Sequence, residues 1–200
     1  MHPNQAFRHE ERALWEALVE EVGFGMVFAQ TADGPRVAHT PLLWTGDGAI
    51  QFHLSRGNAL AKHLEGVNAL AVVNGPEAYV SPRWYDDEAQ APTWNYVTIE
   101  MEGRVRKMAR EGLVGFLETL IVRQEARIAG GEPWTSAKLD TGDYERMLDQ
   151  IAGYEMEVAG WRPTFKLSQS QPADERERVA LGLEAQGALG MANLMREIAG

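Results

Sequence analysis

Three apolar runs in the first third of the chain follow one another through turns too short to hold a crossover. Residues 24–30 give way to 36–44 across Ala32-Asp33-Gly34-Pro35, and Gly46-Asp47-Gly48 leads on into 49–55. A parallel pair of strands needs a dozen or more residues to return the chain to the same end of the sheet, whereas an antiparallel pair closes in two to five. The early strands are therefore expected to be antiparallel, and a parallel βαβ order is not supported. Motifs agree: Gly23-Phe24-Gly25 is followed by Phe28 where a dinucleotide fingerprint has its third glycine, and neither a phosphate-loop motif nor a G-x-S-x-G elbow occurs.

Helical and strand patterns alternate along the rest of the chain. Leu14, Leu18 and Val22 with Trp15 and Val19 give residues 8–22 the period of an amphipathic helix. Leu60 and Leu64 predict a short helix over 58–65. Strands are expected at 69–73, at 79–81 and, as one long element bent at Gly103, over 96–108. Apolar residues from Leu113 to Ile128 predict a helix, 143–151 a second, and 154–161 and 164–168 closing strands around Arg162-Pro163. Residues 173–198 lean towards helix, with Gly182, Gly187 and Gly190 weakening it. The pattern predicts an α+β, mostly β fold: a small antiparallel barrel or sandwich with helices outside it.

Composition narrows the chemistry. The 200 residues contain no cysteine, which removes disulfides, thiolate metal sites and cysteine nucleophiles. A net charge of −10 opposes attraction to phosphate backbones, so direct DNA binding is disfavoured. A charged N-terminus without an apolar signal core, and no run of about 18 apolar residues, lead us to expect a cytoplasmic protein. His2, His9, His39, His53 and His63 show no metal-site spacing.

Three stretches carry candidate chemistry. Residues 78–96, AYVSPRWYDDEAQAPTWNY, hold two tryptophans and three tyrosines around an acidic turn, Asp86-Asp87-Glu88. Such rings on a proline-stiffened loop either stack on a flat ligand or cap a core. Ser55, Arg56, Asn58 and Lys62 lie where a strand is expected to meet a helix, a setting that suits either a phosphate cradle or ordinary capping. Lys166 and Ser168 share a strand face, with Gln169 at its exit. His39 and His53 fall on consecutive strands, and Pro41 marks an irregularity in the first of them.

Read together, H-x-P-L-L from His39, H-L-x-R-x-N from His53, GPEAYVSPRWY followed by PTWNY, and F-K-L-S-Q from Phe165 resemble the PaiB family of FMN-binding negative transcriptional regulators, in order and over nearly the whole chain. The resemblance implies an antiparallel split β-barrel with peripheral helices and a helical C-terminus, related to pyridoxamine-phosphate oxidase and flavin reductases. It further implies a homodimer with FMN at the subunit interface, NAD(P)H as possible reductant, and haem as an alternative cofactor found in split-barrel relatives. On this basis the chain is expected to be one domain over 1–200: an N-terminal helix at 1–22, a first barrel half at 24–110, a helical insertion at 111–151, closing strands at 153–169 and a C-terminal helix at 172–199. Ser55, Arg56, Asn58 and Lys62 would face the FMN phosphate, with His53 opening the same run. His39, Thr40 and Pro41 would lie along the isoalloxazine, while Tyr79, Trp94 and Asn95 would close the site beside Lys166, Ser168 and Gln169. Two places depart from the family pattern: Asn58-Ala59-Leu60-Ala61 lacks a proline and an aromatic, and Lys166-Leu167-Ser168-Gln169-Ser170-Gln171 lacks an arginine. No catalytic residue is implied.

Overall fold

The computed structural model describes residues 4–87 and 89–198; His2 and Glu88 lie outside them. Among the described residues the strands are β1 (Phe24–Thr31), β2 (Gly34–Pro41), β3 (Leu43–Trp44), β4 (Ala49–Ser55), β5 (Asn68–Val80), β6 (Thr93–Lys107) and β7 (Ile151–Lys166). The α-helices are α1 (Arg12–Val22), α2 (Arg110–Glu125), α3 (Thr141–Asp149), α4 (Ala173–Ala185) and α5 (Leu189–Ile198). The strands form one sheet in the order β2-β1-β5-β6-β7-β4-β3. Pairs β1–β2 and β3–β4 are antiparallel, as their short turns require, and β1–β5 and β4–β7 are antiparallel as well.

Side-chain alternation sets the faces of the sheet. Along β6, Asn95, Val97, Ile99, Met101, Gly103 and Val105 are buried, while the even positions between them are more exposed. That period of two is the signature of a strand with one face in a core. Gly103 lets a neighbour approach: a Cβ there would lie 1.7 Å from the Glu157 carbonyl oxygen on β7.

Three expectations change. Residues 58–65 form turns, not a helix: Asn58 N–H donates to Ser55 O, Ala61 N–H to Asn58 O and His63 N–H to Leu60 O, while the Asn58 side chain accepts from Leu60 N–H at 2.9 Å. A helix nucleus is costly over so few residues, and an asparagine able to bond its own backbone offers a cheaper solution. The segments at 69–73 and 79–81 are one strand, β5, as are 154–161 and 164–168 in β7. Pro76 and Pro163 each lack only their own donor, so a long strand can run on through them. Finally, the C-terminal helical stretch is two helices, α4 and α5, parted by a turn over 186–188.

The chain divides into two compact units, one of Met1–Leu18, Val73–Glu100 and Arg162–Gly200, the other of Val19–Val72 and Met101–Trp161. In the second, Phe52 of β4 stacks on Tyr154 of β7 with ring centroids 5.5 Å apart. There α2 and α3 pack Leu113, Phe116 and Leu148 with Leu43 into an apolar cluster. In the first, Val80, Val97, Ile99, Phe165 and Leu167 are buried, as are Val179, Leu183, Met191 and Met195 of the helical pair.

Replacing Gly103 with alanine puts a methyl group into a backbone carbonyl that cannot move without breaking β7. We expect Gly103→Ala to destabilise the chain by more than about 3 kcal/mol, beyond the ordinary overpacking cost, measured as a lowered midpoint in urea unfolding.

Candidate functional site

The corner after β4 leaves cationic groups open. Ser55, Arg56 and Lys62 are all exposed. The Ser55 hydroxyl oxygen accepts from Gly57 N–H at 3.3 Å, which leaves its proton to donate elsewhere. Arg56 is held at the C-terminal end of α3: its backbone N–H donates to Gln150 O at 2.8 Å and its Nε to Asp149 O at 2.7 Å. Helix C-terminal carbonyls favour a cation, so this fixes the side chain by its inner nitrogen. The two outer guanidinium nitrogens have no partner among the described residues, nor does the Lys62 ammonium. Tyr154 braces the same turn from below, its hydroxyl donating to Ala61 O at 2.5 Å. One hydroxyl, an outward guanidinium fork and a flexible ammonium fit a phosphate group by chemistry and by charge. No helix N-terminus contributes, because no helix starts here. Asn58 spends its side-chain oxygen on Leu60 N–H and acts as a turn former.

His39, Thr40, Pro41 and His53 belong to the same unit. His39 is exposed on β2, across the ladder from Met26. Thr40 is buried, and its hydroxyl donates to His53 O at 2.7 Å, tying β2 to β4. His39 and His53 do not hydrogen-bond each other. The His53 ring packs against Phe116 of α2 at 5.6 Å, and its Nδ1 is buried without a partner. Burial pushes the His53 pKa below its ordinary value. A ring so placed fills space between sheet and helix.

The remaining predicted residues lie in the other unit. Tyr79 and Trp94 are about half exposed and meet edge to face at 6.0 Å, forming an open aromatic pair on β5 and β6. Asn95 points the opposite way and is fully buried. Its amide exchanges hydrogen bonds with the Ser168 hydroxyl at 2.9 and 3.2 Å and also donates to Met195 Sδ. Ser168 adopts φ +60°, a left-handed backbone uncommon for a residue with a side chain, and lies beside the Tyr85 hydroxyl. Burial raises the Tyr85 pKa. Lys166 donates to Thr93 Oγ1 and, at 2.6 Å, to Trp94 O, and desolvation lowers its pKa. Gln169 folds back on its own strand, donating to Phe165 O and accepting from Leu167 N–H. Among these residues only Tyr79 and Trp94 present an open ring; the K-L-S-Q side chains close the end of β7.

Sequence reasoning missed Tyr154, Asp149 and Gln150, which shape the cationic corner, and Tyr85 and Thr93, which complete the polar contacts of Ser168 and Lys166. A tyrosine within the apolar run 151–156 was the available signal, because a buried phenol must find an acceptor.

Comparison with known proteins bears on the family and the fold. The family model described as "Putative FMN-binding domain" matches residues 1–160, and the chain belongs to that family. "Protease synthase and sporulation protein PAI 2" of Bacillus subtilis is 28% identical over 191 residues, covering 92% of this chain and 90% of that protein. The resemblance to the PaiB family is thus upheld. Among solved structures, the FAD and haem binding protein from Mycobacterium smegmatis superposes with a TM-score of 0.64 at 17% identity, over 84% of this chain and 77% of that one. The conserved hypothetical protein Rv2991 from Mycobacterium tuberculosis gives 0.59 at 13% identity, over 86% and 94%. The fold is the antiparallel split barrel expected, and FMN is the cofactor of the family.

Two outcomes check the site's supports. Ser168→Ala removes a hydroxyl that satisfies a buried amide, so unfolding in denaturant should show a loss of about 1–3 kcal/mol. For His53, a folded pKa below the unfolded value means that the unfolded chain takes up the proton first as pH falls. The stability associated with a neutral His53 is present above about pH 6.5 and is lost as pH falls towards the depressed folded value. The pH dependence of unfolding free energy over this window should flatten in His53→Gln relative to the parent.

Proposed function

We propose that this protein binds FMN as a homodimer, with the cofactor's phosphate held by Ser55, Arg56 and Lys62, and acts as a flavin-dependent oxidoreductase or redox sensor. The whole chain, 1–200, is read as one FMN-binding domain. The observation that carries the reading is the cationic corner: two outer guanidinium nitrogens and an ammonium without partners among the described residues, beside a hydroxyl free to donate. In a chain of net charge −10, two open cations on one turn are a specific provision for an anion.

Bound FMN would supply reversible hydride chemistry at its ring. The chain's own part is to hold and position. Arg56 arrives prefixed at Asp149 O, so less of its freedom is lost on meeting a phosphate. Tyr154 keeps the turn beneath it in shape. His39, exposed and without a partner among the described residues, is an imidazole open to a ligand, whereas His53 is occupied with Phe116. The open Tyr79–Trp94 pair supports a surface that a second subunit or a flat ring covers. NAD(P)H is the reductant in this reading and needs no fingerprint of its own, because a nicotinamide can stack directly on a flavin. Regulation of transcription is then indirect, through redox state or a metabolite, since the acidic chain disfavours a DNA backbone. A cytoplasmic location is part of this reading. Among the described residues no helix is long and apolar enough to cross a membrane.

The test is an FMN titration of the protein against Arg56→Ala, followed by flavin fluorescence or by thermal shift. Losing a charge-assisted phosphate contact of about 1.5–3 kcal/mol should weaken binding some ten- to hundredfold. Absence of flavin absorbance and of any FMN-dependent thermal shift in the parent protein would refute the reading. If bound flavin is not bleached anaerobically by NADH or NADPH, the oxidoreductase part falls and the sensing part stands.

A further inference from the structure

Against the helical pair lies a cavity of about 440 Å³, lined by Ala78, Tyr79, Ser81, Arg83, Trp84, Leu183, Gln186 and Ala188, of which the flavin reading uses only Tyr79. It belongs wholly to one compact unit. Its size falls within the range of small-molecule sites, and its make-up is uneven in an informative way.

Two walls are aromatic. Trp84 is seated on α4 so closely that a Cβ at Gly182 would lie 2.4 Å from its ring. Gly182, which weakens a helix on propensity alone, therefore makes room for the indole. Tyr79 is steadied by its edge-to-face contact with Trp94. Both rings are thus held by packing and lose little freedom to a ligand.

The polar groups of the cavity are open. Arg83 is exposed, and its guanidinium has no hydrogen bond or ion pair among the described residues. The nearby carboxylate of Asp86 does not serve it, because Asp86 pairs with Arg178. The Ser81 hydroxyl oxygen accepts from Arg83 N–H at 3.3 Å, which leaves its own proton to donate. The Gln186 side chain, at the end of α4, has no partner among the described residues. One planar cation, one hydroxyl donor and one amide thus line the same cavity as the two rings.

We propose that this cavity is a second ligand site, selective for small planar aromatic carboxylates. The guanidinium fork matches a carboxylate in shape and charge, and the two rings accept a flat body by stacking or edge contact. A cationic ligand would meet Arg83 as a like charge. An aliphatic ring would lose the aromatic contacts. Ser81, Arg83, Trp84 and Gln186 take no part in the flavin reading, and only Tyr79 is common to both.

Calorimetric titration of the full-length protein with benzoate tests this, with cyclohexanecarboxylate and benzyl alcohol as comparison ligands. Benzoate is expected to bind most tightly, cyclohexanecarboxylate more weakly, and benzyl alcohol not measurably. Arg83→Ala should weaken benzoate binding at least tenfold, and Arg83→Lys should keep part of it. The same Arg83→Ala protein should retain the parent's urea midpoint and FMN affinity, which separates failure of this site from failure of the flavin reading. The proposal is overturned if benzoate gives no binding heat at about 10 mM, an affinity weaker than any specific small-ligand site would show. It is equally overturned if Arg83→Ala binds benzoate as the parent does, or if benzyl alcohol binds as tightly as benzoate.

Discussion

The fold depends on the strict alternation of side chains along the long strands. In β6 a buried face runs from Asn95 through Val97, Ile99 and Met101 to Val105, and a slip of one residue would turn all of it to solvent. Gly103 sits within that face at the point where the Glu157 carbonyl comes closest. Register and close approach therefore reinforce each other: only one alignment puts a residue without a Cβ opposite that carbonyl. The lengths of β5 and β7 follow, since a fifteen-residue neighbour offers backbone partners well beyond the short apolar runs visible in their sequences.

Polar groups in this protein divide by whether their partners are internal. Asn95, Ser168, Lys166, Gln169 and Thr40 all resemble ligand-binding residues by type, yet each spends its hydrogen bonds within the chain. Their pattern is explained by the cost of leaving a buried donor or acceptor unpaired. Arg56 and Lys62 are different. The first is anchored by one nitrogen and presents two others, and the second is anchored by none. A site for an anion is built from donors the fold has fixed without using up, and helix α3 does the fixing through Asp149 O. The helical region between β6 and β7 thus takes part in shaping the cationic corner.

Much of the architecture was legible in the sequence for a local reason. Turn lengths between β1, β2 and β4 forced antiparallel pairing, and period-two and period-3.6 patterns located β6, α1 and α2. The family resemblance named the fold and cofactor class from short motifs spread over the chain. What failed was local in a different sense. The turns after Asn58 were read as helix because Leu60 and Leu64 are four apart, but the Asn58 side chain competes for the same backbone. Pro163 was read as parting two strands, although it removes only one donor from a ladder whose other members remain.

By itself, then, the sequence determined the antiparallel class of the early strands and, through its motifs, the family, because each depends on neighbours close along the chain. The tertiary structure alone decided which of the candidate site residues are open. Whether Arg56 keeps two free nitrogens depends on a helix end some ninety residues away, and whether Asn95 is a ligand contact or a buried brace depends on Ser168 and Met195. The aromatic stretch at 78–96 shows the same division: its composition announced rings, and only packing separated open Tyr79 and Trp94 from buried Tyr85 and from Trp84 seated on Gly182. Hydrogen-bond partners and burial are properties of space, and no spacing along a chain specifies them.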